Sequence, residues 1–279
     1  MKSKRPYTHI LKNLLHEQAT EIVPLLLPGF QVKQVLDIEM PELKSTEIEG
    51  SPSEMDKGLV GLILPEAQVL KAYRTEWIEH SGRFERAYRV KNEETEKPTF
   101  LMIEFQTERE DEALPRRLLA NYATVDRKVS EDLLEEEDDE HEGTVVNQGY
   151  FVYPEVLCPF PSAVPAHIRD TFRGKVMLEF KFMRIMLWEK DAREVLNTHV
   201  SASYFLLPAM KNADADLLAL AIEELVQRFQ GNDAELARHL TGLNLMLHMS
   251  ETMSNEQKLL AQEHLRPLVH LIKQEPDDD

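Results

Sequence analysis

Apolar and polar residues alternate along two neighbouring stretches, 84–90 (FERAYRV) and 99–107 (TFLMIEFQT), with the polar run 91–98 between them. A period of two sustained over such a length marks a strand, and two strands around a short polar connection predict a β-hairpin. With the loop symmetric about its middle, Glu85 falls opposite Glu104, and opposed residues on antiparallel strands have Cβ atoms about 4.5–5.5 Å apart. The same periodicity puts Gln106 on the face of Glu104 and turns Leu101, Ile103 and Phe105 to the other, as a core-facing stripe.

Around the hairpin the period changes. In 7–27 the apolar positions Ile10, Leu11, Leu14, Leu15, Ala19, Ile22 and Val23 recur at helical spacing, and Pro24 with Pro28-Gly29 ends the helix. His9 and His16 are expected on its surface. A short strand is expected at 30–40, a polar loop at 41–61 and a further strand at 69–79. A helix follows at 112–134, with Leu114, Leu118, Tyr122 and Val125 on one stripe, then strands at 150–159 and 176–188 and a short helix at 191–196. In 176–188, Val176, Leu178, Phe180 and Phe182 share one phase, suited to a strand of the sheet, and Trp188 packs. From 212 onward the pattern is helical only, at 217–229, 233–249 and 255–272. These elements predict an α/β domain over 1–210 and a C-terminal helical region over 211–279.

Composition fits an ordinary globular protein: 279 residues, 42% hydrophobic and 29% charged. The lone cysteine, Cys158, excludes an intramolecular disulfide, suits a reducing compartment and sits in an apolar run as a core residue. No apolar stretch reaches 18 residues and the basic N-terminus lacks an apolar core, so the expectation is a soluble, cytoplasmic protein with no membrane partner. The net charge of −18 weighs against nucleic acid as a ligand. Its location changes that picture, because nine of the twelve residues in 131–142 and four of the five in 275–279 are acidic. Both read as solvated excursions, the first as an acidic loop, and the remainder is close to balance.

Opposed carboxylates destabilise a sheet unless something joins them, and a divalent cation with oxygen ligands is the usual agent. A bland alternative stands beside it, since the open face of a hairpin is normally polar and a one-residue slip would move Glu85 to the other face. Elsewhere the chemistry is sparse. With 10 glycines there is neither G-x-G-x-x-G nor a Walker loop, so no nucleotide cofactor is expected. His239, His248, His264 and His270 lack the i, i+4 pairing of a zinc helix, and Met246, Met249 and Met253 read as packing residues.

Three segments resemble the Rpn-type recombination-promoting nuclease/putative transposase family, a branch of the PD-(D/E)XK nucleases. FERAYRV followed by FLMIEFQTERE resembles the family's acid-bearing strand and its apolar strand ending in E-x-Q. LPRRLLANYATVDRK (114–128) is similar to the arginine- and tyrosine-bearing helix after it, and FVYPEVLCPFP with LEFKFMRIMLWE to two later strands. The resemblance implies a restriction-endonuclease-like core, a mixed central sheet flanked by helices. It implies Glu104 as a metal-binding acid and Gln106 where many relatives carry lysine. Glu85 stands where aspartate is usual, and the acid expected on the first helix is replaced by the stretch Tyr7, Thr8 and His9, with Glu17 further along as a candidate.

From these readings follows a Mg2+-dependent (or Mn2+-dependent) DNA endonuclease. Its catalytic residues are Glu85, Glu104 and Gln106, its metal ligands Glu85 and Glu104, and its DNA contacts Arg109, Arg116, Arg117 and Tyr122. A homodimer would supply two sites for double-strand cleavage. The alternative is an inactive nuclease-fold protein that binds DNA or protein in a regulatory role, favoured by the Glu85 substitution and the negative charge.

Overall fold

The computed structural model describes residues 7–39, 84–106, 112–140, 149–161 and 165–268. The expected loop at 41–61, the strand at 69–79 and Arg109 lie outside them. Contacts cluster into two units whose limits differ from the expected break at residue 210. One takes 23–42 and 83–185 and holds the main sheet. The other joins the N-terminal residues through Ile22 to the chain from Met186 onward and is helical where described.

The N-terminal helical stretch is two helices rather than the single one expected. α1 (Tyr7–Glu17) and α2 (Ala19–Leu26) meet at Gln18, whose carbonyl accepts from the N–H groups of Glu21 and Ile22 and so starts the second helix. Leu11, Leu14, Leu15, Ile22 and Val23 are buried as their spacing requires, and His16 is buried with them, a correction to its expected surface place. After Pro28, Gly29 at φ +94° turns the chain into β1 (Phe30–Glu39), a conformation that only glycine adopts at little cost.

In the sheet unit, β2 (Phe84–Asn92), β3 (Thr99–Phe105), α3 (Leu114–Glu140), β4 (Phe151–Cys158) and β7 (Met183–Met186) follow β1. The five strands form a mixed sheet in the order β1-β2-β3-β4-β7, antiparallel from β1 to β3 and parallel between β3 and β4. All seven residues of β3 are buried. A strand enclosed on both faces reads as a near-continuous apolar run, which TFLMIEF is once Glu104 is set aside. The polar face expected of the hairpin is therefore closed to solvent at β3.

Helix α3 buries Leu114, Leu118, Val125 and Val129. It runs through Glu140, so the acidic run from Glu131 to there is helix and not the expected loop. The Tyr150 hydroxyl, 2.9 Å from Asp126 Oδ1, ties the start of β4 to α3. The expected strand at 176–188 also divides. β5 (His167–Phe172) and β6 (Lys175–Lys181) make a separate two-stranded sheet, in which Phe172, Val176 and Met177 are exposed. β5 left no alternating signal because it lacks a buried face.

The helical unit contains α4 (Ala192–Leu196), a 3-10 helix (Ser201–Ala209), α5 (Ala215–Arg228), α6 (Asp233–Met249) and α7 (Asn255–Leu265). The N-caps are side chains of the expected kinds: Asp191, Asp214, Asn232 and Ser254 each accept from a backbone N–H in the first turn. Among the described residues no helix is long and apolar enough to cross a membrane.

Gly242 of α6 faces both Leu14 of α1 and the 3-10 helix. A Cβ there would collide with Leu14 Cδ1 and stand 3.2 Å from Phe205 Cβ, and both neighbours are fully buried. Gly242→Ala should therefore lower stability by about 1–2 kcal/mol, overpacking outweighing the roughly 1 kcal/mol gain in helix propensity. Thermal melting reads it as a fall of a few degrees, and a rise would show that Leu14 yields freely.

His239, fully buried on α6, stacks on the Phe229 ring with centroids 4.7 Å apart and meets the Gln18 side-chain amide at 2.9 Å through Nε2. Its buried Nδ1 has no hydrogen-bond partner. Burial, reinforced by the charges of Arg238 and Arg228, pulls its pKa down to about 4 from 6.5. Above pH 6.5 neither state binds the proton; between 6.5 and 4 the unfolded chain binds it and the native chain does not. Stability contributed by neutral His239 is thus complete above 6.5 and lost toward pH 4, by up to about 3 kcal/mol. Chemical denaturation at pH 7 and 4.5 should show a smaller loss in His239→Gln than in wild type.

Candidate functional site

The recorded pairs between β2 and β3 run from Val90–Thr99 to Ala87–Met102. Continued by two residues, this register puts Glu85 across from Glu104, the pairing that loop symmetry predicts. Glu85 is described by its backbone alone, where it pairs with Ile38 of β1 on its other side. On β4, Val156 is the partner of Glu104 and Glu155 that of Ile103. Glu104, Gln106, Val156 and Cys158 thus share the face covered by α3, and Glu155 lies on the opposite one.

Glu104 and Gln106 are 4% and 1% exposed. Arg117, one turn into α3, reaches Glu104 Oε1 with Nη2 at 3.5 Å and keeps about a third of its own side chain in solvent. So long and half-open a pair adds little stability by itself, but its guanidinium is a charge partner for a carboxylate that has left water. Gln106 continues the ladder by donating its N–H to the Leu157 carbonyl at 2.9 Å. Its Oε1 accepts from the Cys158 thiol at 3.2 Å. Burial pushes that thiol up to about 11, against an opposing pull from the Arg184 charge, so it stays protonated and holds the amide in one orientation.

The other residues singled out in the sequence take varied places. Arg116 is exposed on the first turn of α3. Tyr122 packs edge-on against Phe180 at 5.6 Å, and burial, with the Asp126 charge, raises its pKa. Glu17 pairs with Arg238 of α6 at 2.6 Å, in the helical unit. Sequence reasoning passed over two charged residues. Glu155 is buried on β4, its pKa pushed up to about 7 by burial, and Arg184 holds guanidinium atoms buried on β7. Each is the lone charge within an apolar strand, YPEVLC and FMRIML, and that is the signal that finds them.

Among the described residues no group of three or more His, Cys, Asp and Glu side chains is placed to hold a metal ion. Comparison with protein-family models, curated proteins and solved structures finds no match to the chain.

Glu155 gives a stability prediction of its own. Its ordinary pKa of 4.5 applies to the unfolded chain, which ionises there while the native carboxyl keeps its proton to about 7. The native state is favoured fully below pH 4.5 and loses that advantage as pH rises to 7, after which a buried charge must be carried. Glu155→Gln should be more stable than wild type at pH 8 by about 1–3 kcal/mol and little changed at pH 4. Urea denaturation at the two pH values measures it, and an equal effect at both would show that Glu155 is held by a fixed partner.

Proposed function

We propose that the sheet unit is a nuclease of the PD-(D/E)XK kind, a Mg2+-dependent DNA endonuclease linked to recombination or mobile elements. The observation that carries this reading is the register of β2 on β3, whose pairs run to Ala87–Met102 and, continued by two residues, would oppose Glu85 to Glu104, two residues before Gln106. Further support comes from the order of elements, since the acid-bearing strands, the arginine-bearing helix and a later parallel strand follow one another as the family resemblance requires.

Two opposed carboxylates are hard oxygen donors of the number Mg2+ commonly takes from protein, its other positions going to water and substrate phosphate. When bound, the ion would supply an activated water and charge stabilisation at the scissile phosphate. Glu104 and Glu85 would hold it, and Arg117, 3.5 Å from Glu104 Oε1, helps orient that carboxylate. Gln106, its amide fixed by the Cys158 thiol, orients the attacking water without adding charge. Arg116, exposed at the head of α3, binds flanking phosphate, and Tyr122 shapes the helix face behind it.

A second reading, a silent descendant that binds DNA or protein, is favoured by one specific observation. Glu104 and Gln106 are almost wholly enclosed and already engaged by Arg117 and Cys158.

The readings separate on supercoiled plasmid. The nuclease nicks it with Mg2+ and not with EDTA, Glu104→Ala and Glu85→Gln abolish nicking, and Glu85→Asp retains or raises it. Millimolar Mg2+ should also raise the melting temperature of wild type but not of Glu104→Ala. An equal response in the two proteins would sink the two-carboxylate site.

A further inference from the structure

β7 lies beside β4 in the main sheet and carries Arg184. Its guanidinium stands 5.9 Å from the Phe182 ring centroid. Nε and Nη2 are both buried, and neither has a hydrogen-bond partner. These two atoms form the edge of the guanidinium whose N–H bonds run parallel, the fork that takes two oxygens of a carboxylate or phosphate at once. A buried charge with no acceptor on that edge is costly, and an unpaired donor in a native protein calls for an explanation. The Cys158 thiol and the Gln106 carbonyl on the neighbouring strands are bonded to each other.

We infer that Arg184 anchors a tetrahedral oxyanion, the phosphate group of a phosphodiester, at the ends of β3 and β4 next to Gln106. The inference rests on the reading of that end as the nucleic-acid site. Three features support it. The residue is an arginine, whose fork matches phosphate oxygens and whose charge does not titrate. The residue as a whole is only partly buried and sits on a short strand beside β4, so the buried fork lies close to the surface of the sheet unit. Its charge is also felt at Cys158, the residue whose thiol donates to Gln106. In that position it would hold the substrate on the side of Gln106 away from Glu104 and Arg117, and the neutral glutamine would lie between two guanidinium groups.

The test uses the full chain and two probes. Inorganic phosphate, against sodium chloride at equal ionic strength, should raise the melting temperature of wild type and leave Arg184→Met flat, with Arg184→Lys between them because lysine keeps charge without the fork. Duplex DNA in Ca2+ should bind Arg184→Met about tenfold more weakly, with the slope of log affinity against log salt smaller by about one. Without added anion, Arg184→Met should melt no lower than wild type. The inference is overturned if phosphate stabilises wild type and Arg184→Met equally, or if Arg184→Met melts well below wild type with no anion present. Glu104-dependent nicking with DNA affinity unchanged in Arg184→Met would defeat the inference and leave the nuclease reading standing. A phosphate response confined to wild type, with no DNA binding, would keep the anion site and defeat the nuclease reading.

Discussion

Everything at the candidate site depends on the enclosure of β3. With β2 on one side, β4 on the other and α3 across one face, this strand has no solvent-facing residue from Thr99 through Gln106. A carboxylate in such a strand must find charge partners or give up its charge, because desolvating an ion costs several kcal/mol. Glu104 has a guanidinium beside it; Glu155, one strand over and on the opposite face, has no ion-pair partner among the described residues, and burial raises its pKa to about 7.

The N–H and C=O groups of the sheet are consumed in the ladder, so the chemistry left to this unit lies in side chains at the strand ends. There Gln106 and Cys158 stand side by side on β3 and β4, with Glu104 and Arg117 one step behind, and β7, which carries Arg184, is the next strand. Cysteine suits the central place. It packs as a small apolar residue in the core and still donates a weak S–H bond to the glutamine, which a serine would do only by bringing a more strongly hydrated hydroxyl into the interior.

Much of this was legible in the chain. The symmetry of the loop 91–98 gave the register of β2 on β3, because antiparallel pairing around a short connection leaves few alternatives. Helix α6 was found at both ends, Asn232 capping its start and Ser250 following its last residue. What escaped had physical causes. The central position of β3 comes from β4, a partner about fifty residues on, so a local pattern that set Glu104 and Gln106 on one face looked half-exposed. The acidic run after Glu131 continues α3 because glutamate is a good helix former, and like charge spread along a solvated helix is tolerated. The hairpin of β5 and β6 has no buried stripe to announce it. His16 lies on a helix whose polar residues were taken as outward, and a neutral imidazole is the kind of polar group a core can accept.

The two buried titrating groups act in opposite directions over nearly the same range. Stability from neutral His239 is lost as pH falls from 6.5 to 4, and stability from protonated Glu155 is lost as pH rises from 4.5 to 7. His239 belongs to the helical unit and Glu155 to the sheet unit. A profile of the whole chain would partly cancel them and look flat. The units are thus weakened at opposite ends of the weakly acidic range. Lowering the pH across that range therefore weakens the helical unit relative to the sheet unit, and raising it does the reverse.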